Sequence, residues 1–271
     1  MVQLQPSLTL NLKNLASHGA VISAEQQAAL DHSLPIKRTE AGLKTLTLWG
    51  KLTTLNGRDY LVAEGYNNPI YSNGNVIFDA KYYYSQDGVR WVDLVAVDDE
   101  TKSKAGKIQS ILSGDPAKVY DIEEKDSNQP PPPDEGEEAG EPPAPVIVQV
   151  PELAVLKHRI DTINDSTGVL PVHAMLPDAQ NRIVPNRLFT GLAYPEKLES
   201  YMHRTVAPGG PTLAQDLRGT WSVHYDPFKQ IATCRSLLWL GYTFYYDAHQ
   251  MTWGALYHGN GLRNDDLIFM L

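Results

Sequence analysis

Residues 219–271 read GTWSVHYDPFKQIATCRSLLWLGYTFYYDAHQMTWGALYHGNGLRNDDLIFML. Apolar and polar residues alternate through this stretch, and turn residues interrupt the alternation at short intervals. Period-two alternation broken by Gly, Asp-Pro and Asn is the signature of an antiparallel meander. Trp221, Val223 and Tyr225 share one face of the first run. A second run covers 231–239, after Asp226-Pro227. Gly241 ends it, and Tyr242, Phe244 and Tyr246 share a face of the third. Trp253, Ala255 and Tyr257 mark the fourth, closed by Gly259-Asn260-Gly261. The expected fold class is α+β: antiparallel sheets, a few short helices and a C-terminal four-stranded meander.

Upstream of the meander the chain divides at 123–145, EEKDSNQPPPPDEGEEAGEPPAP. Seven of these residues are Pro, eight are Asp or Glu, and none is aromatic or branched aliphatic. Such a segment cannot bury enough apolar surface to offset the entropy of ordering, so a disordered or polyproline-like linker is expected. The division is then an N-terminal α+β part at 1–122, the acidic linker at 123–145, and a C-terminal α+β part at 146–271. Of the formal charge of −9, −8 lies between Asp121 and Pro145. The remainder is nearly neutral. That balance argues against nucleic acid and anionic membrane as partners, both of which need a basic face.

In the N-terminal part a short helix is expected at 8–15. Another should start at Ser23, whose side chain and Gln26 form a capping box, and run to Leu30. Strands are expected at about 44–54, 59–65, 77–84 and 90–97. Asn56-Gly57 and Asp87-Gly88 supply hairpin turns. A short helix follows at 101–112. After the linker come a strand at 146–150, a helix at 153–163 with Leu153, Leu156, Ile160 and Ile163 on one face, and an irregular hairpin at 170–185. A further helix is expected at 195–203, with Pro195 in its first turn. No run approaches 18 apolar residues. The N-terminus lacks a basic start followed by an apolar stretch, so no signal peptide is expected. One cysteine, Cys234, forbids an intrachain disulfide and a thiolate cluster, which fits an intracellular compartment.

Motifs that carry chemistry are scarce. There is no P-loop and no HExxH. The Gly-x-Gly of HGNGLRND, 258–265, follows a strand and precedes no helical pattern, so it reads as a turn. His224 and His258 sit in strands expected to be neighbours, yet sheet histidines are the plainer reading. Cys234 lies within IATCRSLLW and reads as an inert buried thiol. Ser236 lacks a nucleophile-elbow context. Asp265 and Asp266 read as a solvated pair. No catalytic residue, metal site or cofactor is indicated. Arg235, between Cys234 and Ser236-Leu237-Leu238-Trp239, reads as an internal ion pair that fixes strand register, with an interface anchor as the alternative. Ten of 24 aromatic residues lie between Trp221 and Tyr257, and Tyr82-Tyr83-Tyr84 form a second cluster. Neighbouring aromatics on a strand face opposite ways, so a second layer or a partner must cover one face. Few basic residues interleave with these rings, which disfavours stacking on nucleic acid.

Several stretches resemble the radial spoke head protein 9 family. They are RSLLW at 235–239 with Gly241, TFY at 243–245, Gly259 with Gly261, and FML at 269–271. LWGK at 48–51 followed by DYLVAEG at 59–65 is similar to an element shared with spoke head proteins 4 and 6. GDP at 114–116 and NRLFTGL at 186–192 match further landmarks in order. At position 240 the family usually has Pro where this chain has Leu, which leaves the turn at 240–241 less rigidly specified.

The resemblance implies a non-catalytic structural subunit of the spoke head in the axoneme of motile cilia and flagella, a cytoskeletal assembly in the cytoplasm. Its implied partners are spoke head proteins of the 4 and 6 type, with the spoke stalk and the central apparatus as further neighbours. By analogy it would help to pass central-apparatus signals to dynein. No small-molecule substrate and no membrane partner are implied. With that resemblance a partner is the favoured cover for the aromatic faces, and the interface candidates are Tyr82, Tyr84, Trp221, Arg235, Trp239, Tyr245 and Trp253. The alternatives are a soluble adaptor that presents the Pro-rich run as a ligand, and an enzyme built from scattered carboxylates and histidines.

Overall fold

Four strands from the N-terminal part and the four of the meander join in one eight-stranded sheet. The computed structural model describes residues 8–15, 19, 22–124 and 146–270. Helices α1 (Leu8–Leu15) and α2 (Ala24–Glu40) precede β1 (Thr45–Leu52) and β2 (Tyr60–Tyr66). A small hairpin, β3 (Ile70–Ser72) and β4 (Asn75–Ile77), leads to β5 (Ala80–Ser85), β6 (Val92–Leu94) and α3 (Asp99–Gly106). β7 (Val119–Glu124) pairs antiparallel with β8 (Val146–Pro151), which runs straight into α4 (Glu152–Thr167). Short strands follow: β9 (Val169–Pro171), β10 (Met175–Pro177), β11 (Ile183–Pro185) and β12 (Tyr201–His203). The meander is β13 (Trp221–Asp226), β14 (Ile231–Ser236), β15 (Tyr242–Asp247) and β16 (Thr252–Gly259). The sheet order is β13-β14-β15-β16-β1-β2-β5-β6. Every pairing in it is antiparallel except β1 with β16.

The sheet is buried on both faces over its central strands. Tyr60, Val62, Tyr82, Tyr84, Phe244, Tyr246, Trp253 and Tyr257 face α4, whose Leu156, Ile160 and Ile163 are fully buried. Leu46, Leu48, Leu61, Ala63, Tyr83, Tyr245 and Leu256 face a second layer that contains Leu12, Leu15, Leu30 and Leu34 of α1 and α2. The chain itself therefore covers the second aromatic face at Tyr83 and Tyr245, where a partner was expected.

Trp49 makes this two-sided arrangement possible. The β1–β2 register shifts between Leu48 and Gly50, so Trp49 is the extra residue of a β-bulge. Before it, Leu46 and Leu48 face α1 and α2; after it, Leu52 faces α4. One inserted residue reverses the pleat.

Three expectations need correction. α2 continues through Pro35 to Glu40 instead of ending at Leu30. Leu34 is buried, and the Ser33 hydroxyl donates to the Gly88 carbonyl at 2.6 Å and accepts from Trp91 Nε1 at 3.0 Å, which tethers the helix beyond the proline. Residues 195–203 are not a helix. A 3-10 turn at Leu198–Ser200 leads into β12, which pairs with β9, and Tyr201 donates its hydroxyl to the Pro195 carbonyl. The expected linker at 123–145 loses its first two residues to β7, where Glu123 and Glu124 pair with Ile147 and Val146. Residues 125–145 lie outside the described residues. The cap at Ser23 is as expected, its side chain accepting from Gln26 N.

Candidate interaction surfaces and a cleft in the sheet

Helix α4 starts at Glu152, and this fully buried carboxylate is the most heavily hydrogen-bonded group described. Its Oε1 accepts from Tyr60 Oη at 2.7 Å and Gly114 N at 2.9 Å. Its Oε2 accepts from Ser113 N at 3.0 Å, Ser113 Oγ at 2.5 Å and Tyr120 Oη at 2.9 Å. Burial alone would raise this carboxyl. The Ser113 and Tyr60 hydroxyls and two backbone amides outweigh burial and hold it below its ordinary value. Burial, reinforced by Glu152, pushes Tyr120 up to about 12. Gly114 adopts φ +89°, so the landmark at 114–116 is the turn that aims two amides at a carboxylate.

A second buried network links β1, β2, β5, α4 and Arg204, the residue after β12. Arg204 grips Glu64 through two bonds, Nη1 to Oε2 at 2.9 Å and Nη2 to Oε1 at 2.7 Å. Tyr82 donates to Glu64, Asn164 Nδ2 donates to Tyr82, and Trp49 Nε1 donates to Asn164 Oδ1 at 2.7 Å. Burial opposes charge on Glu64, but Arg204 prevails and keeps its carboxyl below the usual range. This bidentate pair, 140 residues apart in sequence, is the buried ion pair that had been expected at Arg235.

The stretch LWGK now has a physical account. Trp49 stacks on Tyr257 with centroids 5.3 Å apart. A Cβ on Gly50 would lie 2.3 Å from the Tyr257 carbonyl oxygen, so only glycine lets β1 approach β16. Lys51 Nζ lies 2.9 Å from Asp59 Oδ2. In the C-terminal block Gly241 adopts φ +105°, and a Cβ there would lie 2.2 Å from the His258 carbonyl oxygen. Tyr242 N donates to Trp239 O. A negative φ at Leu240 followed by a positive φ at Gly241 makes 239–242 a type II turn.

β1 and β16 pair at only three positions: Gly50 with Tyr257, Lys51 with His258 and Leu52 with Gly259. Beyond these the ladder stops, although both strands continue. Side chains of both segments line a cleft of about 610 Å³. Thr45, Thr47 and Trp49 of β1 and Trp253 and Ala255 of β16 contribute, with Met175 and Ile183 of β10 and β11. Lys44, Glu64 and Arg204 are its charged lining.

Six of the seven expected interface residues are in the core. Tyr82 belongs to the Glu64 network, and Tyr84 packs edge-to-face on Tyr60. Trp221 donates to Asp216 Oδ2 at 2.7 Å. Trp239 is 5% exposed and its backbone N–H donates to Ser236 Oγ. Tyr245 lies beneath the α1 and α2 layer, and Trp253 packs edge-to-face on Phe189. Trp253 also reaches the cleft. Arg235 is exposed, and among the described residues it forms no ion pair. Ile231 of β14 packs against the α1 and α2 layer, whereas Arg235, on the same face, and His224 are exposed. Phe228, at the β13–β14 turn, is 97% exposed. A second exposed apolar set, Ile36, Val89, Val92 and Val95, borders edge strand β6.

The residues weighed for chemistry have structural duties. Burial pushes the Cys234 thiol well up, and Ser236 caps a turn. His224 and His258 are not neighbours, because β14 and β15 separate their strands, and His258 lies 3.1 Å from the Gly19 carbonyl. Gly261 donates its N–H to Tyr257 Oη, so HGNGLRND is a closing turn. Asp265 opens a 3-10 turn beside Arg263. No described cluster of His, Cys, Asp or Glu could hold a metal ion, and no described helix is long and apolar enough to cross a membrane.

The two buried carboxylates are locked into internal hydrogen bonds, and the sheet is covered on both faces over its central strands. No family model matches the chain. Full-length relatives do. It is 31% identical over 286 residues to the radial spoke head protein 9 homolog of Xenopus tropicalis, covering 98% of this chain and 99% of the relative. Identity is 30% to the homolog of Danio rerio and 28% to that of Homo sapiens, with the same coverage. The chain belongs to the radial spoke head protein 9 family.

Proposed function

We propose that the protein is a non-catalytic structural subunit of the radial spoke head in a motile cilium or flagellum. It scaffolds the head and helps to relay central-apparatus signals to dynein. The observation that carries this reading is the end-to-end match to relatives named for that assembly, 98% of this chain against 99% of theirs. The structure adds support in kind. The residues that resemble the family serve the fold: Trp49 and Gly50 join the two parts, Ser113 and Gly114 seat Glu152, and Gly241 makes the β14–β15 turn. A body cross-braced by two buried polar networks is stiff, which suits transmission of force. Its neighbours in the head are proteins of the 4 and 6 type. Arg235 with Phe228, and the apolar border of β6, are the surfaces offered to them.

Tagging the chain in cells with motile cilia and purifying spoke heads from salt-extracted axonemes tests the reading. The chain should co-sediment with the spoke head at fixed stoichiometry, and its deletion should leave headless or incomplete spokes. Recovery as a free monomer, with spokes intact after deletion, would refute it.

A further inference from the structure

The sheet is zipped everywhere except at its centre. β2 pairs with β1 from Thr45 to Leu52 apart from the bulged Trp49, and β15 pairs with β16 from Thr252 to Tyr257. Between β1 and β16 only the last three positions are joined. In an antiparallel pair, alternate residues turn their N–H and C=O groups away from the partner strand. Alternate residues of 45–48 and 253–256 therefore turn their N–H and C=O groups away from β2 and β15, and among the described residues no ladder takes these groups up.

The cleft walls are matched to an extended chain. Trp49 and Trp253 supply apolar surface on the α4 side, and Thr45, Thr47 and Ala255 are small enough to leave room between them. Four to five residues of free edge span about 15 Å. The Glu64 charge is taken up by Arg204, whereas Lys44 Nζ is bonded to the neutral Asn68 side chain. The lining thus carries one uncompensated positive charge at the Lys44 end.

We infer that this cleft is a strand-docking site for an extended segment of a different polypeptide. The segment completes the ladder between β1 and β16, places apolar side chains at alternate positions against Trp49 and Trp253, and carries a carboxylate beside Lys44. Main-chain bonds give such a complex its affinity and the pockets give it selectivity. The chain's own acidic segment is a poor occupant, because its seven prolines between 123 and 145 cannot donate to a ladder. The inference rests on the spoke-head reading for the source of the partner.

Hydrogen exchange measured by mass spectrometry, on the purified chain and on spoke heads containing it, tests this. Those amides of 45–48 and 253–256 that turn away from β2 and β15 should exchange fast in the free chain and slow by roughly 10-fold or more on assembly. Those of Gly50 to Leu52 should be slow in both states. A photoreactive phenylalanine at Thr47 should cross-link in the head to one proline-free segment of another protein. Ala255→Trp, which plugs the cleft, should abolish that cross-link while the free chain keeps its melting temperature. Unchanged exchange in an assembled head overturns the inference and leaves the spoke-head reading standing. So does protection without a peptide cross-link, which means a small ligand, or a cross-link to a second copy of this chain. Absence of the chain from spoke heads removes both.

Discussion

Replacing Glu152 by Gln isolates the contribution of a buried carboxylate that no described cation touches. The wild-type group accepts five hydrogen bonds, from Tyr60, Tyr120, the Ser113 hydroxyl and the amides of Ser113 and Gly114. A carboxamide can accept on one oxygen only. The two hydroxyls facing the new NH2 group can rotate to accept, but the Ser113 amide cannot, and an orphaned buried N–H costs about 1–3 kcal/mol. The remaining contacts lose their charge assistance, roughly half the strength of each. Together these give a loss of about 4 kcal/mol, or about 8–16 °C in melting temperature for a chain of this size. The assay is urea and thermal unfolding of the purified protein followed by circular dichroism, between pH 3 and pH 8. The sign with pH follows from the depressed folded pKa. The carboxylate's contribution is complete above the unfolded value near 4.3 and is lost as pH falls through the lower folded value. The gap between wild type and Glu152→Gln should therefore be flat above about pH 5 and narrow in acid. Tyr120→Phe should cost less when combined with Glu152→Gln than in wild type, since the hydrogen bond it removes is then neutral and no longer charge-assisted. A loss below about 1 kcal/mol, or a gap that widens in acid, would refute the reasoning.

Three further outcomes follow from the same structure. Gly50→Ala should block the β1–β16 pairing, because its methyl group would lie 2.3 Å from Tyr257 O; early limited proteolysis and loss of soluble expression would show it. Arg204→Met should cost about 3–5 kcal/mol at neutral pH by leaving Glu64 buried and unpaired, and adding Glu64→Gln should recover part of that in urea titrations. Leu240→Pro should stabilise by about 0.4–1 kcal/mol, since Pro suits the second position of a type II turn preceding a glycine of positive φ; a lowered melting temperature would contradict the turn assignment.

The meander was legible because its period-two alternation has one regular solution. Asn56-Gly57 and Asp87-Gly88 were equally readable as turns, since positive φ at Gly57 and Gly88 is a local requirement. What escaped the sequence was whatever depends on neighbours far along the chain. Pro195 looked like a helix start, but Tyr201 gains more from Phe244 and from pairing with β9 than a helix could give it. Arg235 looked interior because its sequence neighbours are apolar, yet it is exposed on the face that carries Ile231 against the α1 and α2 layer. The aromatics looked like an excess that needed a partner, because nothing local reveals that α1 and α2 lie across Tyr83 and Tyr245. The Glu64–Arg204 pair and the open ladder between β1 and β16 have no sequence signature, being products of topology.

The β7–β8 ribbon has a consequence for how this chain can vary. Its last rung joins Glu124 to Val146, so both ends of the acidic segment are held at a hydrogen-bonded spacing beside the Glu152 seat. Closing a loop between ends held in this way costs about 0.6 kcal/mol more for each doubling of its length. Lengthening 125–145, or splicing a fluorescent reporter into it, is therefore expected to leave the β7–β8 pairing in place and the melting temperature nearly unchanged.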